Sequence, residues 1–206
     1  MARLGIPLVP AVAVGARAVH GWNPEAYAKL VGVAYRPASK LSPAVLAERI
    51  DRVLASTVRL VERMPGPVLA WTPSERERTV RELAFHVFRL SLAFIEGMDR
   101  GDFPQRWLEA RVPPEIGDAA ALAAYGARVR ERLARWFAGA APEVYGHVVQ
   151  VYYGPQSGHD LLERTTWHAA QHLRQLYVLA ERRGVTPPEP LPVDAFEGLP
   201  LPESLW

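Results

Sequence analysis

The residues of this chain best placed to do chemistry are His168 and His172, in Thr165-Thr166-Trp167-His168-Ala169-Ala170-Gln171-His172-Leu173-Arg174-Gln175-Leu176. On a helix, this i, i+4 spacing puts both imidazoles on one face, where they can close on a single metal ion. Leu161, Thr165, Leu176 and Leu179 fall on the same stripe, so both rings should face the core. Imidazole is the commonest metal ligand, and an apolar wall sharpens affinity and water activation. The pair alone is a weak signal, because two hydrogen-bonded core histidines satisfy the same spacing. A zincin site is excluded. That motif needs glutamate directly after the first histidine, and here the position is Ala169.

A third histidine extends the pattern. In Thr79–Met98, TVRELAFHVFRLSLAFIEGM, the residues Leu83, His86, Val87, Leu90 and Phe94 make one apolar helical face, and His86 lies inside it. A lone histidine there is usually a satisfied core residue. A histidine on one core face and an HxxxH on another can instead meet in a bundle interior. Three neutral imidazoles there would hold a metal ion and leave a coordination position open. The other histidines are read as structural. His159 precedes His168 by half a helical turn beyond two full turns and should point away. His147 lies in the extended run HVVQVYYG, and His20 lies in the N-terminal segment.

These residues must be positioned by helices, and four long helical patterns are present. The first spans about Ser42 to Met64, opened by Ser42-Pro43 and closed by Met64-Pro65-Gly66-Pro67. The second carries His86 and could start as early as Ser74. The third spans about Asp118 to Ala138. The fourth spans Gly158 to Arg183, ended by Gly184 and barred from continuing by Pro187 and Pro188. The segment from Asp99 to Gly117 is long for a bundle connection, and such loops often border a site. Tyr145, Tyr152 and Tyr153, between the third and fourth helices, could wall a pocket or pack across a bundle end.

The fold class is therefore mainly α, with residues 41–186 as a four-helix bundle. Residues 1–40 form an appendage that reads strand, turn at Gly15, strand, short helix from Asn23-Pro24. Such a two-stranded unit is not stable alone and must pack on the bundle or on a second subunit, making a homodimer one expected assembly. Its apolar residues Val12, Val14 and Val19 should be buried. Residues 187–206 form a proline-rich tail, expected to wrap the surface and anchor through Phe196, Leu205 or Trp206.

Composition bounds the function. The chain has 206 residues, 49% hydrophobic and 22% charged, which suits a soluble globular protein. Of the 24 basic residues only Lys29 and Lys40 are lysines, and the net charge is +2. Basic and acidic residues alternate along the helices, as in ERERTVRE and RVRERLARW. This reads as a salt-bridged solvated face, not a nucleic-acid groove. No apolar run has the length of a membrane span and no signal peptide is apparent, so a cytoplasmic location is expected. There is no cysteine, which excludes disulfides, thiolate ligands and a cysteine nucleophile.

The second and fourth helices resemble the DinB/YfiT-like metalloenzymes. TVRELAFHVFRL is similar to that family's second-helix signature, and HAAQHLRQL to its last-helix signature. The resemblance covers about residues 41 to 183. It implies a four-helix bundle with His86, His168 and His172 as metal ligands, and Gln175 matches a glutamine that usually follows. The family often has a further histidine before the last ligand and Arg-Gly-Gln after it, where this chain has Gln171 and Leu173-Arg174-Gln175. The N-terminal run LVPAVAVG-ARAV-HGWNPEAYAKLVG resembles, over about 25 residues, the C-terminal half of a glutaredoxin-like domain. That likeness puts Pro10 at the cis-proline position and Gly21 at the strand-end glycine. The redox-cysteine half is absent.

The DinB-like resemblance implies a divalent cofactor, with zinc, nickel or iron expected. It also implies a transferase or isomerase that uses a low-molecular-weight thiol such as mycothiol, bacillithiol or glutathione, with an electrophilic small-molecule substrate. A metal-dependent hydrolase and a non-catalytic metal-binding or stress-related scaffold remain alternatives, since no carboxylate in the sequence can be assigned as a general base.

Overall fold

The computed structural model describes residues 11–20, 23–36, 39–75 and 77–206. Its first elements are strands β1 (Ala11–Val14) and β2 (Arg17–His20), an antiparallel hairpin turned at Gly15, followed by helix α1 (Pro24–Val31). Gly15 has a φ of +59°, a conformation cheap only for residues without a side chain. Asn23 caps α1, its side chain accepting the Ala26 N–H. Pro10 and Gly21 lie outside the described residues. The hairpin buries little: Val12 and Val19 are half-buried and Val14 is exposed, against the sequence expectation. Hairpin and α1 pack on each other; Ala28 of α1 is buried, but none of their residues joins the connected apolar cluster of the bundle.

The bundle is built from α2 (Pro43–Glu62), a single turn α3 (Gly66–Leu69), α4 (Val80–Arg100), strand β3 (Asp102–Phe103), α5 (Ala119–Gly139), strands β4 (Val148–Val151) and β5 (Gly154–Ser157), and α6 (Gly158–Arg182). Each long helix has a side-chain cap, supplied by Ser42, Thr79, Asp118 and Ser157. At α4 the cap is a full capping box: Thr79 accepts from the Glu82 N–H, and Glu82 accepts from the Thr79 N–H. That box fixes the helix start at Val80. The earlier start that the sequence allowed, at Ser74, does not form, and Glu75, Glu77 and Arg78 stay outside the helix, where they line a pocket.

Contacts fix the helix directions. Arg130 bonds Asp51, while Val58 and Glu62 lie against Ala119 and Ala123, so α2 and α5 are antiparallel. Phe85 stacks on Tyr125 and Phe94 on Phe137, so α4 and α5 are parallel. Leu161 lies near Gly97 and His172 near His86, so α4 and α6 are antiparallel. The link between α4 and α5 must therefore return along the whole bundle, which explains its length. On the way it pairs β3 in parallel with β4 and wedges Trp107 against Phe103, Arg89 and Arg100. None of its residues lines the histidine pocket, so the expectation that this loop borders the site is corrected. Tyr145, Tyr152 and Tyr153 do not line it either. Tyr145 packs on Trp136, and Tyr152 and Tyr153 pack with Arg164.

The core runs the length of the bundle. Leu46, Ile50, Leu54, Phe88, Phe94, Leu122, Leu173 and Leu176 are sealed from solvent. The tail after α6 is held early by Tyr177, whose hydroxyl accepts the Leu191 N–H and pairs with Ser56. Ala195 and Leu199 are its buried anchors, Phe196 packs half-buried beside them, and Trp206 stays exposed. Among the described residues no helix is long and apolar enough to cross a membrane.

Candidate metal centre

His86 enters the interior on the second turn of α4, with Leu83, Val87, Leu90 and Phe94 buried on the same stripe. His168 and His172 enter from the middle of α6, flanked by the buried Leu161, Thr165, Leu176 and Leu179. Because α4 and α6 pack antiparallel, the two stripes face each other and the three rings meet. Ring centres of His168 and His172 are 4.3 Å apart, and His86 lies 5.3 and 5.4 Å from them. One ligand atom from each histidine falls within 4.8 Å of the others, a spacing that could hold a metal ion. It is the one such group among the described residues. His86 and His172 are buried, and His168 is partly open to solvent.

The electrostatics suit ligation. The His168 imidazole is pushed well below its ordinary pKa, first by desolvation and then by the neighbouring His172 and His86 rings. Only a neutral imidazole can bind a metal. Nε2 of His172 lies 3.1 Å from Nε2 of His168, so both nitrogens address one shared space. The opposite side of the His172 ring is held by Gln175, with Nδ1 2.8 Å from Oε1.

This depressed pKa has a consequence for stability. In the unfolded chain His168 should titrate near ~6.5, whereas the folded protein resists protonating it. Below that pH the unfolded state binds more protons, so acidification favours unfolding. The metal-free protein should therefore be less stable at pH 5.5 than at 7.5, and a His168→Gln variant should show a shallower pH slope. Denaturant midpoints at the two pH values test this, and identical slopes for both proteins would refute it.

The remaining histidines are elsewhere. His159 points away from the triad and donates to the Leu41 carbonyl at 2.8 Å. His147 is exposed just before β4, and His20 is exposed at the end of β2.

The triad floors a pocket of about 440 Å³, also lined by Glu75, Glu77, Arg78 and Leu83. The sequence reading missed Glu75, Glu77 and Arg78. The clue was their place immediately before the Thr79 cap of a ligand-bearing helix. Glu75 is ion-paired with Arg182, and that hydrogen bond holds its carboxyl below the usual carboxylate range. Also missed was the use made of Gln171, whose Nε2 donates to the carbonyls of Leu205 at 2.9 Å and Ser204 at 3.2 Å.

A sequence model described as the DinB superfamily matches residues 49–176, the stretch that carries all three histidines. The chain belongs to the DinB superfamily. Its fold is similar to the crystal structure of a DinB-like protein, YjoA, from Bacillus subtilis. The TM-score is 0.56 at 16% identity, with 68% of this chain and 92% of that one covered. At that identity the likeness speaks for the DinB fold alone. No curated protein matches the chain.

Proposed function

We propose that this DinB bundle is a divalent-metal-dependent transferase or isomerase using a low-molecular-weight thiol, with the metal held by His86, His168 and His172. The observation that carries the reading is the meeting of three imidazole ligand atoms within 4.8 Å at the floor of an accessible pocket. Three protein ligands leave coordination positions for an incoming molecule, whereas a structural zinc is usually closed by four. An all-imidazole donor set suits zinc, nickel or iron better than magnesium or calcium. When bound, such an ion would lower the pKa of a coordinated thiol and supply a thiolate at neutral pH.

The chain's own groups have distinct tasks. It contributes no thiol, having no cysteine, so a nucleophilic sulfur must come from a small molecule. Leu83 gives the pocket an apolar side, and Arg78 places a cation at its mouth that can attract an anionic thiol or substrate. Glu75 is held ionised by Arg182 and is a poor proton acceptor at neutral pH. That favours attack by a preformed thiolate over hydrolysis assisted by a carboxylate base. Glu77, the second carboxylate at the mouth, is the observation that sustains the hydrolase reading.

The test supplies metal-loaded protein with bacillithiol, mycothiol or glutathione and a chloronitrobenzene or bimane electrophile. Conjugation above background that disappears in His172→Ala is the expected result. Full metal occupancy without turnover on any thiol would move the assignment to a metal-binding scaffold.

A further inference from the structure

We infer that the stretch Pro202–Trp206 is part of the metal centre, and that the main-chain carbonyl of Leu205 sets the tautomer of His172. This rests on the three-histidine reading above. One amide makes the connection. Gln175 is only 2% exposed, and both ends of its side chain are engaged. Its Nε2 donates to the Leu205 carbonyl at 2.6 Å, and its Oε1 faces His172 Nδ1 at 2.8 Å.

The proton assignments follow from what each group can do. A main-chain carbonyl only accepts, so the amide must turn its NH2 toward Leu205. Oε1 is then the atom left facing His172, and it too only accepts. Nδ1 of His172 must therefore carry the ring proton. Nε2 keeps its lone pair, aimed at the space shared with His168. Without the Leu205 carbonyl, the amide is free to turn over and present NH2 to Nδ1. The ring proton would then sit on Nε2, the atom that has to be bare to bind a metal.

The grip on the tail is larger than one bond. Gln171 is also buried and also donates to Leu205, so both lone pairs of that carbonyl are used. Arg174 bonds the Gln171 amide oxygen at 2.8 Å and the Pro202 carbonyl at 3.2 Å. The Trp206 ring lies 5.7 Å from the Arg182 guanidinium, which in turn holds Glu75 at the pocket mouth. The tail's buried apolar anchors, Ala195 and Leu199, lie upstream, while Pro202, Glu203, Ser204 and Trp206 are exposed. Residues 202–206 thus add little to the core, yet two buried glutamines beside a metal ligand are committed to them. The stretch lies outside the 49–176 segment that matches the superfamily. Gln175 and Leu205 are positioning residues that act through His172.

The experiment reads the tautomer directly, by long-range proton–nitrogen correlation NMR on histidine-labelled protein without metal. In the full chain His172 should carry its proton on Nδ1. Deleting residues 202–206 should shift it toward Nε2 and weaken zinc affinity roughly 10–100-fold, the usual effect of losing an outer-shell partner. Adding Gln175→Glu to the shortened chain should restore the Nδ1 proton, because a carboxylate only accepts and needs no tail to orient it. A shortened chain that keeps the Nδ1 tautomer and undiminished zinc affinity overturns the proposal. Should the shortened chain not fold, Gln175→Leu in the full chain must lose the tautomer, and its retention overturns the proposal equally. A full chain that shows the tail-dependent tautomer but no zinc affinity supports the tautomer assignment and sinks the metal reading instead.

Discussion

Replacing His86 or His168 with alanine should strip the metal from the protein. Untagged wild-type protein should carry about one first-row metal ion per chain, as expected for a single three-ligand site. Each histidine supplies one of only three protein ligands, so losing either should cost more than the roughly 10–100-fold attached to outer-shell partners. His86→Ala is the sharper of the two tests, because His86 comes from a different helix than the HxxxH pair and sits more than eighty residues away in the chain. His159→Ala is the control: its ring bonds the Leu41 carbonyl and has no part in the triad. Elemental analysis of the purified variants decides the matter, with thermal melts confirming that they are folded. Full metal retention in His86→Ala would sink the triad. Occupancy should also fall once pH drops well below about 6.5, since protonated imidazole cannot ligate and the folded protein resists protonating His168 until then.

The second large effect concerns how α4 and α5 can lie so close. A Cβ added at Gly126 would meet the Phe88 ring at 2.4, 2.5 and 2.8 Å, with no room to give because Phe88 is fully buried. Gly126→Ala should therefore destabilise the bundle by about 1–3 kcal/mol, outweighing alanine's better helix propensity. Phe88→Ala should cost about 3–5 kcal/mol through lost burial and the cavity left behind. The double variant should cost less than the sum, since the new methyl enters the space the ring vacates. Denaturant unfolding of the four proteins gives the cycle. Strict additivity would mean that the helices separate instead of sharing that contact.

The sequence made the triad legible because ligand spacing and apolar periodicity coincide on the same stripes. His86 falls in line with Leu83, Leu90 and Phe94, and His168 with Leu161, Thr165 and Leu176. Helix ends were legible wherever a capping side chain or glycine marked them. The α4 start stays open between Ser74 and Thr79 in the sequence, where both are plausible caps, and only the reciprocal Thr79–Glu82 bonds choose between them. The crossover from α4 to α5 was seen as long, but its path was hidden, since helix direction is a property of packing and leaves no local trace. Glu75, Glu77 and Arg78 look like any solvated run until the fold brings them over the histidines. The Leu205 contact was the least accessible of all. Its working group is a main-chain carbonyl, which every residue possesses and no motif can record.

The make-up of the triad also decides which insults the centre can survive. All three donors are ring nitrogens, and no thiol stands anywhere in the chain. Peroxide attacks thiolates stepwise to sulfenic, sulfinic and sulfonic acids, and sites built on cysteine lose their ligands in the process. Imidazole has no rung on that ladder. Three ring nitrogens would thus stay in place as donors under oxidising conditions that strip a cysteine-built site of its ligands.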